Sequence, residues 1–311
     1  VSVLLNSTPH DTYDLKGKIM PEIQFKQVDV FTTLPFKGNP VAVVMDASEL
    51  TTEQMHLIAS WTNLSETTFV LPPVNPQADY QVRIFTPTRE LPFAGHPTIG
   101  TAYALLEAGL ITRKDGYLVQ ECGVGLVNLQ VTQNTHGHAV IAFELPEPEI
   151  MACTDAAVDR LEAILGCSII RACHPALVDV GARWIVVQTT DAAAALKTLP
   201  NYQELTEFSK QHQVEGVCVY GLYPDGHDSQ IEVRSFAPAC GVNEDPVCGS
   251  GNGCVAAFIR YHGSLGIGEA VVRSSQGLAI GRQGKLELHI TGDRIRVGGS
   301  AVTCISGVLT V

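Results

Sequence analysis

Between residues 23 and 86 apolar and polar positions alternate in four short runs, near 23–31, 40–45, 66–72 and 80–86, each rich in Val, Ile and Phe. A period of two places the apolar set on one face of a half-buried strand, so four strands are predicted. Between the second and third run the pattern changes. Thr51 stands three residues before Gln54, a spacing in which the hydroxyl and the amide side chain satisfy the first free N–H groups of a helix reciprocally, and a helix over 52–62 is predicted. A second helix is expected from about His96, with Pro97 in its first turn, where a missing N–H costs nothing.

The pattern then repeats. Val82-Arg83-Ile84-Phe85-Thr86-Pro87 recurs as Val233-Arg234-Ser235-Phe236-Ala237-Pro238, and Pro92-Phe93-Ala94-Gly95-His96 as Pro246-Val247-Cys248-Gly249-Ser250. Upstream, Glu66 to Val70 parallels Glu215 to Val219; downstream, Leu126 to Thr132 parallels Lys285 to Thr291. Two copies of about 140 residues indicate a duplicated domain, since solenoid repeats are far shorter. Each copy reads as strand, strand, helix, strand, strand, loop, helix and three or more strands, with the second copy's last helix running from about Ser250 towards Tyr261. Short connections predict antiparallel neighbours around a central helix. The fold class is therefore α+β, with two pseudo-symmetric domains, each a curved, mostly antiparallel sheet. Pro146-Glu147-Pro148-Glu149 reads as the linker, giving domains over 20–147 and 148–311, with the C-terminal strand free to join the first. Residues 1–19 lack the charged and apolar regions of a secretory signal. Met20-Pro21 reads as the natural start, and 1–19 as a remnant outside the fold.

Composition narrows the partners. The chain has 311 residues, 45% hydrophobic and 17% charged, enough to bury one large core or two ordinary ones. Twenty Lys and Arg against 32 Asp and Glu give a net charge of −12, which argues against nucleic acid or an anionic membrane surface. A small anion in one buried site remains compatible with that charge. No apolar run approaches the roughly 18 residues of a membrane-spanning helix. Nine scattered cysteines include no Cys-x-x-Cys pair, so neither a disulfide framework nor a zinc knuckle is expected, and a reducing cytoplasm is the simpler setting. His136-Gly137-His138 lacks a third ligand at a metal-binding spacing and reads as a solvated hairpin. Gly249 to Gly253 departs from the dinucleotide fingerprint, and no Walker lysine follows it, so neither metal nor nucleotide is expected.

Both copies place a Gly-polar pair, Gly95-His96 and Gly249-Ser250, where a loop turns into a helix. Free backbone N–H groups and the positive end of the helix dipole favour an anion there. Either pair alone would be a capped helix start; the same device in both copies, set face to face by pseudo-symmetry, indicates an interface site. Four motifs in order, Gly38-Asn39-Pro40, Asn63 to Val70, Phe93 to Thr98 and Glu244 to Ser250, resemble the phenazine-biosynthesis (PhzF-like) isomerase family over essentially all of 20–311. The resemblance implies the diaminopimelate epimerase-like fold, no cofactor, and a homodimer. It also implies that Glu66 is a proton-shuttling acid/base, that His96, Asp245 and Ser250 surround a small carboxylate substrate, and that the backbone at Gly95, His96, Gly249 and Ser250 holds its carboxylate. Cys248 falls where epimerase relatives carry one of two catalytic thiols, but the matching residue in the first copy is Ala94. A thiol at a helix start is expected to have a lowered pKa. Two other readings therefore stand beside the isomerase: an amino-acid epimerase or racemase using Cys248, and a small-anion binding protein without turnover.

Overall fold

The computed structural model describes residues 22–263 and 270–311. The segment 1–19 and the start read at Met20 lie outside the described residues. The first half of the chain contains β1 (Glu22–Val30), β2 (Asn39–Val44), α1 (Thr52–Thr62), β3 (Thr67–Leu71), β4 (Tyr80–Phe85), β5 (Glu90–Leu91), α2 (Gly95–Glu107), β6 (Tyr117–Cys122), β7 (Gly125–Gln133) and β8 (Ala139–Glu144). The second contains β9 (Glu149–Ala152), α3 (Asp155–Leu165), β10 (Ala176–Asp179), β11 (Arg183–Gln188), α4 (Ala192–Lys197), α5 (Tyr202–His212) and β12 (Gly216–Leu222). It continues through β13 (Ile231–Ala237), β14 (Val242–Asp245), α6 (Gly249–His262), β15 (Ala270–Gln276), β16 (Gly284–Thr291), β17 (Arg294–Gly299) and β18 (Ala301–Thr310). Residues 145–148 run without regular structure, and Glu149 of the expected linker already opens β9.

Hydrogen bonding runs β18-β1-β2-β3-β4-β6-β7-β8 through one sheet and β9-β10-β11-β12-β13-β15-β16-β17 through the other, with β5 and β14 paired onto β4 and β13. The two orders correspond strand for strand. β8 and β17, equivalent in the repeat, pair antiparallel with each other, Phe143 opposite Val297, and make the seam between the sheets. Past that seam the chain crosses over twice. β9, which follows β8 in the repeat as β18 follows β17, edges the second sheet through β10, and β18 edges the first through β1.

The hairpins are antiparallel as expected, but four pairs are parallel: β2 with β3, β4 with β6, β11 with β12, and β13 with β15. The reason is that helices separate these strands in sequence, and a return over a helix brings the chain back in the same direction. At the centre lie α2, with nine of its thirteen residues buried, and α6, with ten of fourteen. A helix buried on nearly every side must be built of small residues if a curved sheet is to close on it. A Cβ on Gly100 would stand 2.4 Å from Val41 Cγ1, and one on Gly253 2.7 Å from Leu145 Cδ1. Outside the sheets, α1 covers Phe69 and Phe85, while α3 and α5 cover a separate apolar cluster around Phe208 and Phe236.

The duplication extends to polar detail. Arg83 on β4 makes two hydrogen bonds to the Glu90 carboxylate and lies 5.0 Å from the Phe85 ring; Arg234 on β13 does the same with Glu244, 4.7 Å from Phe236. Beneath the central helices, Gln120 donates to Thr98 Oγ1 and Ser274, at the same register, donates to Asn252 Oδ1.

Candidate active site

The capping box on α1 forms as its sequence predicts, Thr51 and Gln54 each accepting from the other's backbone N–H. The helix ends at Asn63 in the left-handed conformation, φ 53°. That reversal returns the chain to the sheet and sets Glu66 just before the first residue of β3. His96 is the second residue of α2, whose N-cap is Ala94. Glu66 Oε2 and His96 Nε2 are 3.3 Å apart, with the two side chains 16% and 8% exposed. Both atoms are buried, and neither has a well-aligned hydrogen-bond partner among the described residues. From the other half, Asp245 at the end of β14 accepts from Asn39 Nδ2 and from the Val247 N–H, both at 3.0 Å.

Burial governs the titration of all three. It lifts the Glu66 carboxyl to about 7 against a hydrogen bond with Ser65 that works the other way. It lowers His96 to about 4, opposed chiefly by the Asp245 charge and then by the Pro40 carbonyl. It raises Asp245 to about 6, with His96 drawing it down and Glu66 pushing it up. Near neutral pH the imidazole is therefore uncharged, and Glu66 is poised between its two protonation states.

The two glycine-led helix starts meet at this cluster. A Cβ on Gly249 would lie 3.3 Å from Phe31 Cζ and 3.7 Å from the His96 nitrogen. A Cβ on Gly95 would lie 2.7 Å from Phe143 Cζ, so close packing requires glycine there. Ala94 has no side chain with which to cap α2, leaving the first N–H groups of that helix without an intrahelical or capping partner. On α6 the Cys248 sulfur takes the capping role, accepting from the Gly251 N–H at 3.2 Å. Its thiol is held well above the usual range by burial and by the nearby charge of Asp245. The lowered value expected from the helix start is thus overturned. Desolvation of a thiolate among apolar groups outweighs the helix dipole.

All the residues singled out in the sequence, Glu66, Gly95, His96, Asp245, Cys248, Gly249 and Ser250, come together in this one place. Three others were missed. Asn39 lies within a recognised motif, but its reach across to Asp245 and to the Val247 carbonyl is a long-range contact with no local signature. Gln276 is fully buried on β15, accepts from the Cys248 N–H and from Asn252, and donates to the Asp245 carbonyl. Trp184 on β11 donates its indole N–H to Ser250 Oγ at 3.1 Å. His136 and His138 instead lie in the exposed turn between β7 and β8, and no group of three or more His, Cys, Asp or Glu suited to a metal occurs among the described residues. Two surface concavities, of about 950 Å³ along the β8·β17 seam and about 230 Å³ beside Asp29 and Arg282, lie outside the cluster.

Duplicated sheets around buried helices, joined along the β8·β17 seam and carrying a buried carboxyl–imidazole pair in the first half, make this an epimerase-like fold. The model of the family described as "Phenazine biosynthesis-like protein" matches residues 28–307, and the chain belongs to that family. It is 42% identical over 296 residues to "Antisense-enhancing sequence 1" of Schizosaccharomyces pombe, covering 93% of this chain and 99% of that one. It is 35% identical over 292 residues to the trans-2,3-dihydro-3-hydroxyanthranilate isomerase of Pseudomonas fluorescens, covering 91% and 98%. The crystal structure of the Bacillus anthracis phenazine biosynthesis protein of the PhzF family superposes with a TM-score of 0.85 at 26% identity, covering 94% of this chain and all of that one. The chain is accordingly an enzyme of the isomerase class that acts on a small substrate. Among the described residues no helix is long and apolar enough to cross a membrane.

Proposed function

We propose that this enzyme is a cofactor-independent isomerase that moves a proton between carbons of a small unsaturated or cyclic carboxylic acid, with Glu66 as the acid/base. The observation that carries this reading is the shielded Glu66–His96 pair, whose facing atoms lack a partner and whose carboxyl is lifted to about 7. A proton shift needs one group that both takes and returns a proton near neutral pH, and burial tunes a carboxyl to that range. In this scheme the N–H groups at Gly95, His96, Gly249 and Ser250 hold the substrate carboxylate. They also stabilise the negative charge that develops when Glu66 removes the proton. The uncharged His96 imidazole and Asp245 flank the path and orient the substrate.

The dihydrohydroxyanthranilate named for the Pseudomonas relative is the first compound to try. The two domains would be 20–147 and 148–311 with the C-terminal strand lent to the first. The resemblance supports a homodimer, and nine cysteines that form no disulfide among the described residues suit the cytoplasm. A thiol racemase is disfavoured, because Cys248 is held protonated and its match in the first copy is Ala94, which has no thiol.

The test is NMR of the purified enzyme with candidate acids in deuterated water. A displaced double bond with deuterium at the new C–H supports the proposal. Exchange at the α-carbon with retained connectivity would replace it with racemisation.

A further inference from the structure

Ser250 carries a hydroxyl whose hydrogen-bonding role is decided by its neighbours. The Trp184 indole lies 3% exposed on β11, and its N–H points at Ser250 Oγ from 3.1 Å. An indole N–H can only donate, so Ser250 Oγ must accept from it. The single O–H hydrogen of Ser250 is then free to point elsewhere. Within the protein its alternative is the Cys248 sulfur at 3.5 Å, a weak acceptor. The same residue stands at the start of α6, beside the N–H groups proposed to hold a carboxylate.

We propose that Trp184 is a positioning residue: by donating to Ser250 Oγ it fixes that hydroxyl as a donor aimed at the substrate carboxylate. The inference rests on the reading that this site receives a carboxylate, but it needs no turnover. It also explains the position of the tryptophan. Trp184 Cα pairs with Gly216 across the parallel β11·β12 ladder, and Glu215, the residue just before Gly216, is the repeat partner of Glu66. Trp184 thus holds on β11 the place that Ala42 holds on β2 beside Thr67, and in the second half it is the strand next to the one led by the Glu66 counterpart that braces the anion site.

The chain carries only two tryptophans, Trp184 and Trp61, the latter 80% exposed on α1. A W61F variant therefore leaves Trp184 as the sole indole reporter. The probe is cyclohex-1-ene-1-carboxylate, which does not absorb where indole is excited. Titration into W61F should change the Trp184 emission saturably, and the S250A variant in the same background should lose that change and bind about ten- to a hundredfold more weakly, the effect of one charge-assisted hydrogen bond. By calorimetry, W184F should weaken the same probe by a similar factor, and W184F/S250A should bind no worse than S250A alone. Once a substrate is known, W184F should raise KM more than it lowers kcat. Full additivity of the two substitutions, or probe binding seen by calorimetry with an unchanged Trp184 emission, would overturn the proposal. No binding by either method would overturn it together with the carboxylate reading beneath it. Should W184F fail to fold, the W61F and W61F/S250A pair, in which Trp184 is retained, decides the matter alone.

Discussion

At the scale of the residue, the environment of Glu66 makes opposite demands on catalysis and stability. Its pKa is raised from 4.5 to about 7 by burial. The folded state therefore holds its proton more tightly than the unfolded state, and stability is lost as pH rises from about 4.5 to about 7. Glu66→Gln removes that loss. The variant should melt higher than the wild type at pH 8, with the gain fading as pH falls towards 4.5, as paired calorimetric scans will show; an equal gain at both ends would mean burial is not the cause. The amide cannot relay a proton, so turnover should fall about 10²- to 10⁴-fold while substrate binding survives. Cys248→Ser should cost little activity, because a serine hydroxyl can still cap α6 and the thiol is held protonated; its loss of turnover beside an active Glu66→Gln would hand the chemistry to the thiol. Glu66 and His96 were legible because each sits in a short contiguous motif. Asn39, Gln276 and Trp184 were not, since their roles are contacts between residues up to 208 apart in sequence. The direction of the Cys248 shift was missed for a related reason: the dipole is local and readable, whereas desolvation depends on the whole enclosure.

At the scale of the element, the repeated arginine–glutamate clasp is a natural comparison between a buried and an open ion pair. Arg234 and Glu244 are 4% and 5% exposed, and Arg234 also donates to the carbonyls of Ala195, Leu196 and Thr198. Arg83 and Glu90 are 27% and 39% exposed. Removing one partner of a buried pair leaves an uncompensated charge, so Arg234→Ala should cost about 3–5 kcal/mol in urea unfolding. Arg83→Ala should cost under about 1 kcal/mol. Comparable losses would mean the two clasps are equivalent despite their burial. At the helix starts, Gly95→Ala should be the more damaging of the two glycine substitutions: its methyl would press on Phe143 at 2.7 Å, whereas one on Gly249 meets Phe31 at 3.3 Å. Overpacking of this kind costs about 1–3 kcal/mol, and thermal melts of the two variants will rank them. Elements as such were largely readable, α1 to its capping box and the strands to within a residue or two. Strand direction was not, because alternation reports which face is buried and is silent on whether a helix lies between partners.

At the scale of the whole molecule, the repeat was legible as two copies, but the exchange of edge strands was suggested only at the C-terminus. β18 completes the first sheet with nine cross-strand pairs to β1, and Leu309 and Val311 pack into the cluster under α1. A chain ending at Ser300 should therefore lose cooperative folding by circular dichroism, and fragments 20–147 and 148–311 should regain it only when expressed together. Native-like melting of the shortened chain would show that β18 is an ornament. Because each copy is edged by a strand of the other, the architecture is that of two subunits that traded arms and were then tied into one chain. A separate copy would have to find a mate, at a rate set by its concentration; the tether makes the docking of the two halves unimolecular, so the rate of that step should not change on dilution. The tether also permits inequality. Two identical subunits are bound to build two identical sites, but joined copies are free to diverge. Here Glu66 faces an imidazole across from Asp245, while its counterpart Glu215 accepts from the Cys240 thiol instead. One lopsided site stands where symmetry would have required two.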